Sequence, residues 1–102
     1  MKRLENKIAL ITGGAAGIGL ATARLFVAEG ARVMLVDLDG GALDAAIREL
    51  GEDRAAACCA DVSREDETAR FVEATLARWG RIDVFFSNAG IEGAVAPIPD
   101  YP

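Results

Sequence analysis

A glycine-rich segment near the start of the chain constrains its fold more than any other feature. Residues 12–19 have the sequence Thr-Gly-Gly-Ala-Ala-Gly-Ile-Gly and follow the apolar run Ile-Ala-Leu-Ile at residues 8–11. A short apolar run of this kind predicts a strand buried on both faces, as in parallel sheets. The glycines predict a tight turn from that strand into a helix, because a Cβ would forbid some of the backbone angles and close approaches that such a turn needs.

Short apolar runs and longer amphipathic segments alternate along the rest of the chain. The predicted strands are residues 8–11, 33–36, 55–60 and 82–86, and the predicted helices are residues 18–29, 42–50 and 63–79. This alternation indicates right-handed crossovers and a parallel sheet. We predict a doubly wound α/β fold, βαβαβαβ with strand order 3-2-1-4, in which the first two helices cover one face and the third covers the other. Residues 1–90 form this unit, and the proline-rich residues 91–102 are predicted as an irregular C-terminal tail.

The apolar pattern also predicts which surface of the first helix is buried. Ile18, Ala21, Leu25 and Ala28 recur at helical spacing, so we expect them to face inward. The third helix is expected to begin at Ser63, because serine caps helix N-termini well and three acidic residues follow it.

Two further expectations concern the later strands. Cys58 and Cys59 are neighbours on a strand and point to opposite faces, so they cannot readily bond to each other. We expect two buried small side chains, with a reactive thiol as the alternative. The fourth strand carries Phe85 and Phe86 and is expected to form an open edge of the sheet.

Composition excludes several classes of function. A chain of 102 residues forms one domain at most, and its net charge of −5, with no basic block, argues against a nucleic-acid or anionic-membrane partner. The absence of histidine excludes His-based metal sites and Ser-His-Asp triads within these residues. No apolar run approaches the ~20 residues of a membrane span. The N-terminus does not resemble a secretory signal, so we expect a cytoplasmic protein.

The glycine-rich turn is the strongest functional signal. Gly13 and Gly17 permit the required backbone angles, and Gly19 lets the following helix lie close to the sheet. The free N–H groups and the positive dipole end of that helix would then face a pyrophosphate. The alternative is a tight strand-to-helix turn that binds no ligand.

An aspartate, Asp37, closes the second strand 18 residues beyond Gly19. Dinucleotide-binding folds place an acid there to accept hydrogen bonds from the adenosine ribose. A carboxylate at that point also repels a 2′-phosphate, and neither Ala16 nor Leu38 supplies a cation to attract one. The position therefore favours NAD over NADP, with a solvated loop aspartate as the alternative.

Two further polar segments follow predicted parallel strands. Asp61-Val62 ends the third strand, and Asn88-Ala89-Gly90 ends the fourth. The carboxyl ends of parallel strands form the edge at which ligands bind in open α/β sheets. Taken alone, Asp61 could be a loop residue ahead of a helix cap, and Asn88 could be an ordinary turn residue.

Together these segments resemble the short-chain dehydrogenase/reductase family. The resemblance rests on the Thr-Gly-x-x-x-Gly-x-Gly turn, Asp37, Asp61-Val62 and the Asn-Ala-Gly motif, and Gly-Arg-Ile-Asp at residues 80–83 is also typical. It extends from about Leu4 to Gly90. The chain has Ser87 where the family often has asparagine before Asn-Ala-Gly.

The resemblance implies a partial Rossmann-type sheet that binds NAD. Gly13, Gly17, Ile18 and Gly19, with Ala16 between them, would cradle the pyrophosphate. Asp37 would hold the adenosine ribose, and Asp61 with the Val62 backbone would bind the adenine edge. Asn88, Ala89 and Gly90 would pass beneath the cofactor toward its nicotinamide half. The complete enzyme would transfer a hydride between NAD and a secondary alcohol or ketone, and family members are usually homo-oligomers.

The chemistry of that family depends on residues that these 102 positions lack. It uses a Tyr-x-x-x-Lys pair and a serine, whereas Tyr101 is the only tyrosine here and Lys2 and Lys7 are the only lysines. We therefore assign no catalytic residue and expect the chain alone to be inactive, as the cofactor-binding half of a longer enzyme. The alternatives are a non-catalytic nucleotide-binding module and part of an S-adenosylmethionine-dependent methyltransferase.

Overall fold

The structure is a computed structural model that describes residues 3–62, 64–87 and 94–97. Its strands are β1 (Ile8–Thr12), β2 (Arg32–Asp37), β3 (Ala55–Cys59), β4 (Val84–Ser87) and β5 (Ala94–Pro97). Its helices are α1 (Gly17–Ala28), α2 (Gly40–Leu50) and α3 (Glu65–Trp79). In the described ranges, no helix has the length and apolar character needed to cross a membrane.

The sheet has the order β3-β2-β1-β4-β5, which confirms the predicted order of the first four strands. The pairs β1–β2, β2–β3 and β1–β4 are all parallel. Thr12 at the end of β1 lies opposite Val36 of β2 and Ser87 of β4. The carboxyl ends of the parallel strands therefore meet along one edge, which we call the carboxyl edge.

The last strand differs from the prediction of an irregular tail and an open edge at β4. Residues 94–97 form β5, which pairs antiparallel with β4 and places Pro97 opposite Val84. The pairing gives the outer backbone groups of β4 hydrogen-bond partners. Proline cannot donate to a ladder, but an outermost strand tolerates it. The strand was missed because four small residues ending in proline carry almost no strand signal.

Helices cover the two faces of the sheet as predicted. On one face, α1 and α2 pack over a core centred on Ile11, Val33 and Leu35, none of which is accessible to solvent. On the other face, α3 contributes Phe71 and Val72 to a second core. Gly80 has a left-handed φ of 80° where α3 ends, which confirms the predicted stop. The helix begins at Glu65 with Arg64 as its N-cap, later than the predicted start at Ser63, which lies outside the described residues.

The predicted inward face of α1 is wrong. Ile18 and Leu25 are 67% and 66% exposed, whereas Gly19 and Ala23 are buried against the sheet. The helix is apolar on nearly every side, so spacing alone did not distinguish its faces. Gly19 and Ala23 lie four residues apart, and their small size lets the helix backbone approach the sheet closely.

Asp83 connects the beginnings of β1 and β4. Its Oδ2 accepts a hydrogen bond from the Ile8 backbone N–H at 2.8 Å, and its own N–H donates to the Ile8 carbonyl at 2.8 Å. The Arg81 guanidinium donates to Oδ1. Burial by itself would raise the pKa of Asp83, but the hydrogen bonds from Arg81 and Ile8 outweigh it and the pKa is lowered.

Replacing Asp83 with alanine should destabilise the protein in a pH-dependent way. The lowered folded-state pKa means that the carboxylate stabilises the fold above its unfolded pKa and loses this effect as the pH falls through the folded value. At neutral pH we expect Asp83→Ala to lower the free energy of unfolding by about 1–3 kcal/mol, because the buried Ile8 N–H loses a charged acceptor. Denaturant unfolding at neutral pH and below the ordinary pKa of 3.8 measures the difference.

Asp53→Ala serves as the control, since the Asp53 side chain is 85% exposed and its contact with Arg54 is 3.9 Å long. That variant should change stability by less than about 0.5 kcal/mol. A difference between wild type and Asp83→Ala that stays constant from neutral to acidic pH would contradict the assignment.

Candidate functional site

A cavity of about 280 Å³ opens at the carboxyl edge of the sheet. It lies between the glycine-rich turn and the loops that follow β2 and β3, and its lining residues are Gly13, Val36, Asp37, Leu38, Ala60, Asp61 and Val62. Four of these residues were predicted from the sequence as site residues: Gly13, Asp37, Asp61 and Val62. The fold therefore brings together predicted site residues that are up to 49 positions apart in the chain.

The turn after β1 depends on glycine at three positions. Gly13 and Gly17 have φ values of 64° and 59°, in the left-handed region that favours glycine. Gly14 needs the absence of a side chain for a different reason. A Cβ there would lie 2.9 Å from Cδ2 of Leu35, which is fully buried. Sequence reasoning did not single out Gly14, because the close approach depends on the neighbouring strand.

The N-terminus of α1 is directed to the same edge and is not capped by side chains of its own first turn. Ala16 is its N-cap, with no side-chain cap hydrogen bond, and the first turn carries no acid. By contrast, Asp39 caps α2 by accepting from the Ala42 N–H at 3.0 Å, and α3 has acidic residues in its first turn. The positive end of α1 and its free N–H groups are thus available to an anion.

Asp37 connects the glycine-rich turn to the loop after β2. Its Oδ2 accepts from the Ala15 N–H at 3.1 Å, and its Oδ1 accepts from the Leu38 and Asp39 N–H groups at 2.8 and 3.3 Å. A carboxylate offers about four acceptor positions, so these bonds leave capacity for a ligand hydroxyl. The prediction of an isolated ribose contact missed this bridging role, because the approach of Ala15 to Asp37 is set by the sheet.

The loop after β3 forms the opposite wall of the cavity. The Ala60 N–H donates to the Asp37 carbonyl at 3.0 Å. Among the described residues, this is the last backbone hydrogen bond between the end of β2 and the end of β3. Beyond it, the Asp61 N–H donates to Oε1 of Glu67 at 3.3 Å. Arg70 donates to the Cys59 carbonyl at 2.6 Å. Two side chains of α3 therefore hold this wall.

The adjacent cysteines differ from the expectation that both are buried. Cys58 is half-buried, and burial raises the pKa of its thiol. Cys59 is exposed, and its thiol donates to the Leu38 carbonyl at 3.3 Å across the outer side of the cavity. The reason is that β3 is an outermost strand, so only one of two alternating side chains packs under a helix.

Three predicted site residues, Asn88, Ala89 and Gly90, lie outside the described residues. The strand that leads to them ends at Ser87, which lies opposite Thr12 at the carboxyl edge. Ala16 and Ile18 are exposed at the start of α1, and Gly19 is buried beneath it.

A larger groove, of about 590 Å³, runs along the outer side of β3 and contains none of the predicted site residues. Arg78 in this groove donates to the Glu52 carbonyl at 2.9 Å and stacks on Trp79. Arg78 is thus engaged within the protein, and the predicted site residues gather at the smaller cavity at the carboxyl edge.

Comparisons of the sequence with a family model and with known proteins indicate the same family. The family model described as short chain dehydrogenase matches residues 7–101. Tropinone reductase-like 2 of Erythroxylum coca is 47% identical over 98 residues, which cover 95% of this chain and 35% of that protein. Levodione reductase of Leifsonia aquatica is 44% identical over 103 residues, which cover 97% of this chain and 39% of that protein. The chain thus spans little more than a third of the length of these relatives.

Solved structures agree in fold. The C-domain of a bacterial malonyl-CoA reductase with NADP has a TM-score of 0.80 and 37% identity, over 91% of this chain and 16% of that one. A 3-ketoacyl-(acyl-carrier-protein) reductase from Brucella melitensis, complexed with NADH, has a TM-score of 0.78 and 40% identity, over 80% and 34% of the two chains. One neighbour holds NADP and the other NADH, so a nicotinamide dinucleotide is common to both.

Gly14→Ala should destabilise the protein and distort the turn. The added Cβ meets Leu35 at 2.9 Å and the Ile11 carbonyl at 3.2 Å, and neither can move freely. We expect a loss of about 1–3 kcal/mol in the free energy of unfolding, as for other overpacked sites. Gly40→Ala is the matched control, because a Cβ there meets nothing within 4 Å. That change should be neutral or stabilise by up to about 1 kcal/mol. Equal effects in thermal unfolding would refute the steric explanation.

Proposed function

Because this chain belongs to the short-chain dehydrogenase/reductase family, we propose that it is the NAD-binding half of an oxidoreductase. The complete enzyme would transfer a hydride between NAD and a secondary alcohol or ketone. The nicotinamide ring would supply the hydride chemistry, and the described residues would bind the adenosine and pyrophosphate half of the cofactor. The observation that carries this proposal is the cavity at the carboxyl edge, which joins a glycine-rich turn, a helix N-terminus without a side-chain cap and a carboxylate.

Each of these parts suits one portion of a dinucleotide. Gly13 lines the cavity with a left-handed φ of 64°, so no Cβ stands between its backbone and a diphosphate. The N-terminus of α1 offers N–H groups and positive potential to that diphosphate. Asp37 can accept hydrogen bonds from the ribose hydroxyls. Asp61 and the Val62 backbone lie across the cavity and would contact the base.

The charge of the cavity supports NAD over NADP. Of the described residues that line it, two are acidic and none is basic. A 2′-phosphate on the ribose would lie beside the Asp37 carboxylate. At ~4 Å and an effective dielectric constant of ~20, a single pair of like charges costs up to ~4 kcal/mol, and a phosphate carries more than one charge. The neutral hydroxyl of NAD meets no such repulsion.

Asp37→Ala should reduce the preference for NAD over NADP by about tenfold or more, which corresponds to a modest part of the repulsion estimated above. Affinity for NAD should also fall, because the variant loses the proposed ribose acceptor and the contact with the Ala15 N–H. Titration calorimetry gives the dissociation constants for NAD and NADP. Their ratio reports the change in preference, because a loss of order in the turn affects both cofactors alike.

Asp39→Ser is the matched control for this experiment. It removes a carboxylate two residues away and keeps an oxygen that can accept from the Ala42 N–H. The cofactor ratio should stay close to that of wild type. If Asp37→Ala left the ratio unchanged as well, the proposed ribose contact would be wrong.

The 102-residue chain should bind NAD and yet show no dehydrogenase activity. Its sequence contains no Tyr-x-x-x-Lys pair, since both of its lysines precede β1. Purified protein incubated with NAD and a panel of secondary alcohols should therefore produce no NADH, as followed by fluorescence. Binding of NAD in a parallel titration shows that the material is competent. NADH formation above the rate of a protein-free control would overturn the assignment of no catalytic residue.

A further inference from the structure

We propose that Glu67 and Arg70 of α3 are positioning residues that hold the base-binding wall of the cavity and so set selectivity for adenine. This inference rests on the proposed binding of a dinucleotide at the carboxyl edge. It concerns two residues that lie behind the cavity and are not among the residues that line it.

The two side chains hold the backbone on both sides of Ala60. Arg70 donates to the Cys59 carbonyl at 2.6 Å, and Glu67 accepts from the Asp61 N–H at 3.3 Å. The atoms they hold are therefore the carbonyl just before Ala60 and the N–H just after it. Cys59 and Asp61 thus flank the point at which the chain leaves β3 and enters the cavity wall.

The two residues also fix each other. Arg70 Nε lies 3.0 Å from Glu67 Oε2, and an Arg70 terminal nitrogen donates to Glu67 Oε1 at 3.2 Å. The planar guanidinium can make these contacts and the bond to Cys59 at the same time, which a lysine ammonium on a flexible stem does poorly. The Glu67 side chain is only 25% exposed, so its carboxylate is held in a restricted position.

This arrangement matters because the sheet does not extend to the wall. Among the described residues, the last backbone hydrogen bond between the ends of β2 and β3 runs from the Ala60 N–H to the Asp37 carbonyl. Asp61 and Val62 lie one and two residues further on and line the cavity. Their position relative to Asp37 therefore depends on contacts with α3 and its start, among them those of Glu67 and Arg70. A hydrogen bond to the edge of the base requires that the backbone of Asp61 and Val62 be held in a defined position. Binding of the diphosphate at the glycine-rich turn does not depend on that position.

The test compares NAD with nicotinamide hypoxanthine dinucleotide, which differs from NAD only at the base edge. Glu67→Ala should weaken NAD binding while leaving the affinity for the hypoxanthine analogue nearly unchanged. We expect the NAD-to-analogue preference to fall about fivefold, the factor that one hydrogen bond of ordinary net strength supplies. A purely structural role would lower both affinities together and leave the preference intact.

Asp66→Ala is the matched control. It removes another acidic side chain from the first turn of α3 and breaks the exposed ion pair with Arg64. It touches neither Cys59 nor Asp61, so the preference should match wild type. Arg70→Lys provides a second variant that keeps the charge and should also lower the preference. Glu67→Gln keeps an acceptor for the Asp61 N–H and should restore part of it.

The outcomes separate this inference from the proposed function. A fall in preference in Glu67→Ala and Arg70→Lys, with none in Asp66→Ala, supports the positioning role. If the wild type binds NAD and the preference stays unchanged in Glu67→Ala and Arg70→Lys, the positioning role is wrong and the proposed function stands. If Glu67→Ala does not fold, Arg70→Lys alone decides between these two results. If the wild type binds neither dinucleotide, the proposed function fails and this inference fails with it.

Discussion

The central strand β1 imposes the constraint on which the rest of the structure depends. It pairs in parallel with β2 on one side and with β4 on the other, and its side chains are buried from Ile8 to Thr12. A chain leaving such a strand must turn directly above Leu35 of β2, where a Cβ on Gly14 finds no room. The turn can therefore carry no side chain at this position. Packing in the core and the path of the chain from β1 into α1 have the same physical origin.

The main-chain groups at the start of α1 explain how a chain with a net negative charge could bind a negatively charged ligand. The net charge is −5, yet the ligand carries a diphosphate. In the proposed mode, backbone N–H groups and the dipole of α1 would meet the diphosphate, so no cluster of cationic side chains is needed. The carboxylates of Asp37 and Asp61 would lie toward the ribose and the base, whose hydroxyl and amino groups are donors. The acidic groups at the carboxyl edge would then contribute selectivity for the ribose and the base, and main-chain groups would bind the diphosphate.

The sequence was informative where a local pattern determines the structure. The order of the first four strands follows from alternation and crossover handedness, and the left-handed angles at Gly13 and Gly17 confirm the predicted turn. The inward face of α1 could not be predicted, because a helix that is apolar all round has no preferred side until the sheet is in place. The strand β5 was missed because Ala94–Pro97 gives too short a pattern.

The same distinction applies to the site. Asp37 and Asp61 were found because each closes a predicted strand, and the fold places them on one cavity. The bond from the Ala15 N–H to Asp37 and the contacts of Glu67 and Arg70 were not found, because they join elements whose distance depends on tertiary packing. A sequence motif indicates the residues that would contact a ligand, whereas the residues that hold those in position are identified only from the structure.

The three walls of the cavity differ in how closely binding is tied to folding. The glycine-rich turn serves both, because it cannot form over Leu35 with a larger residue at Gly14, and Gly13 beside it lines the cavity. Asp37 is also shared, since its carboxylate holds two loops before any ligand arrives. Glu67 and Arg70 differ, because their hydrogen bonds act on a loop beyond the sheet. In the proposed arrangement, changes at these two residues would mainly alter recognition of the base, whereas changes in the turn would alter both binding and folding.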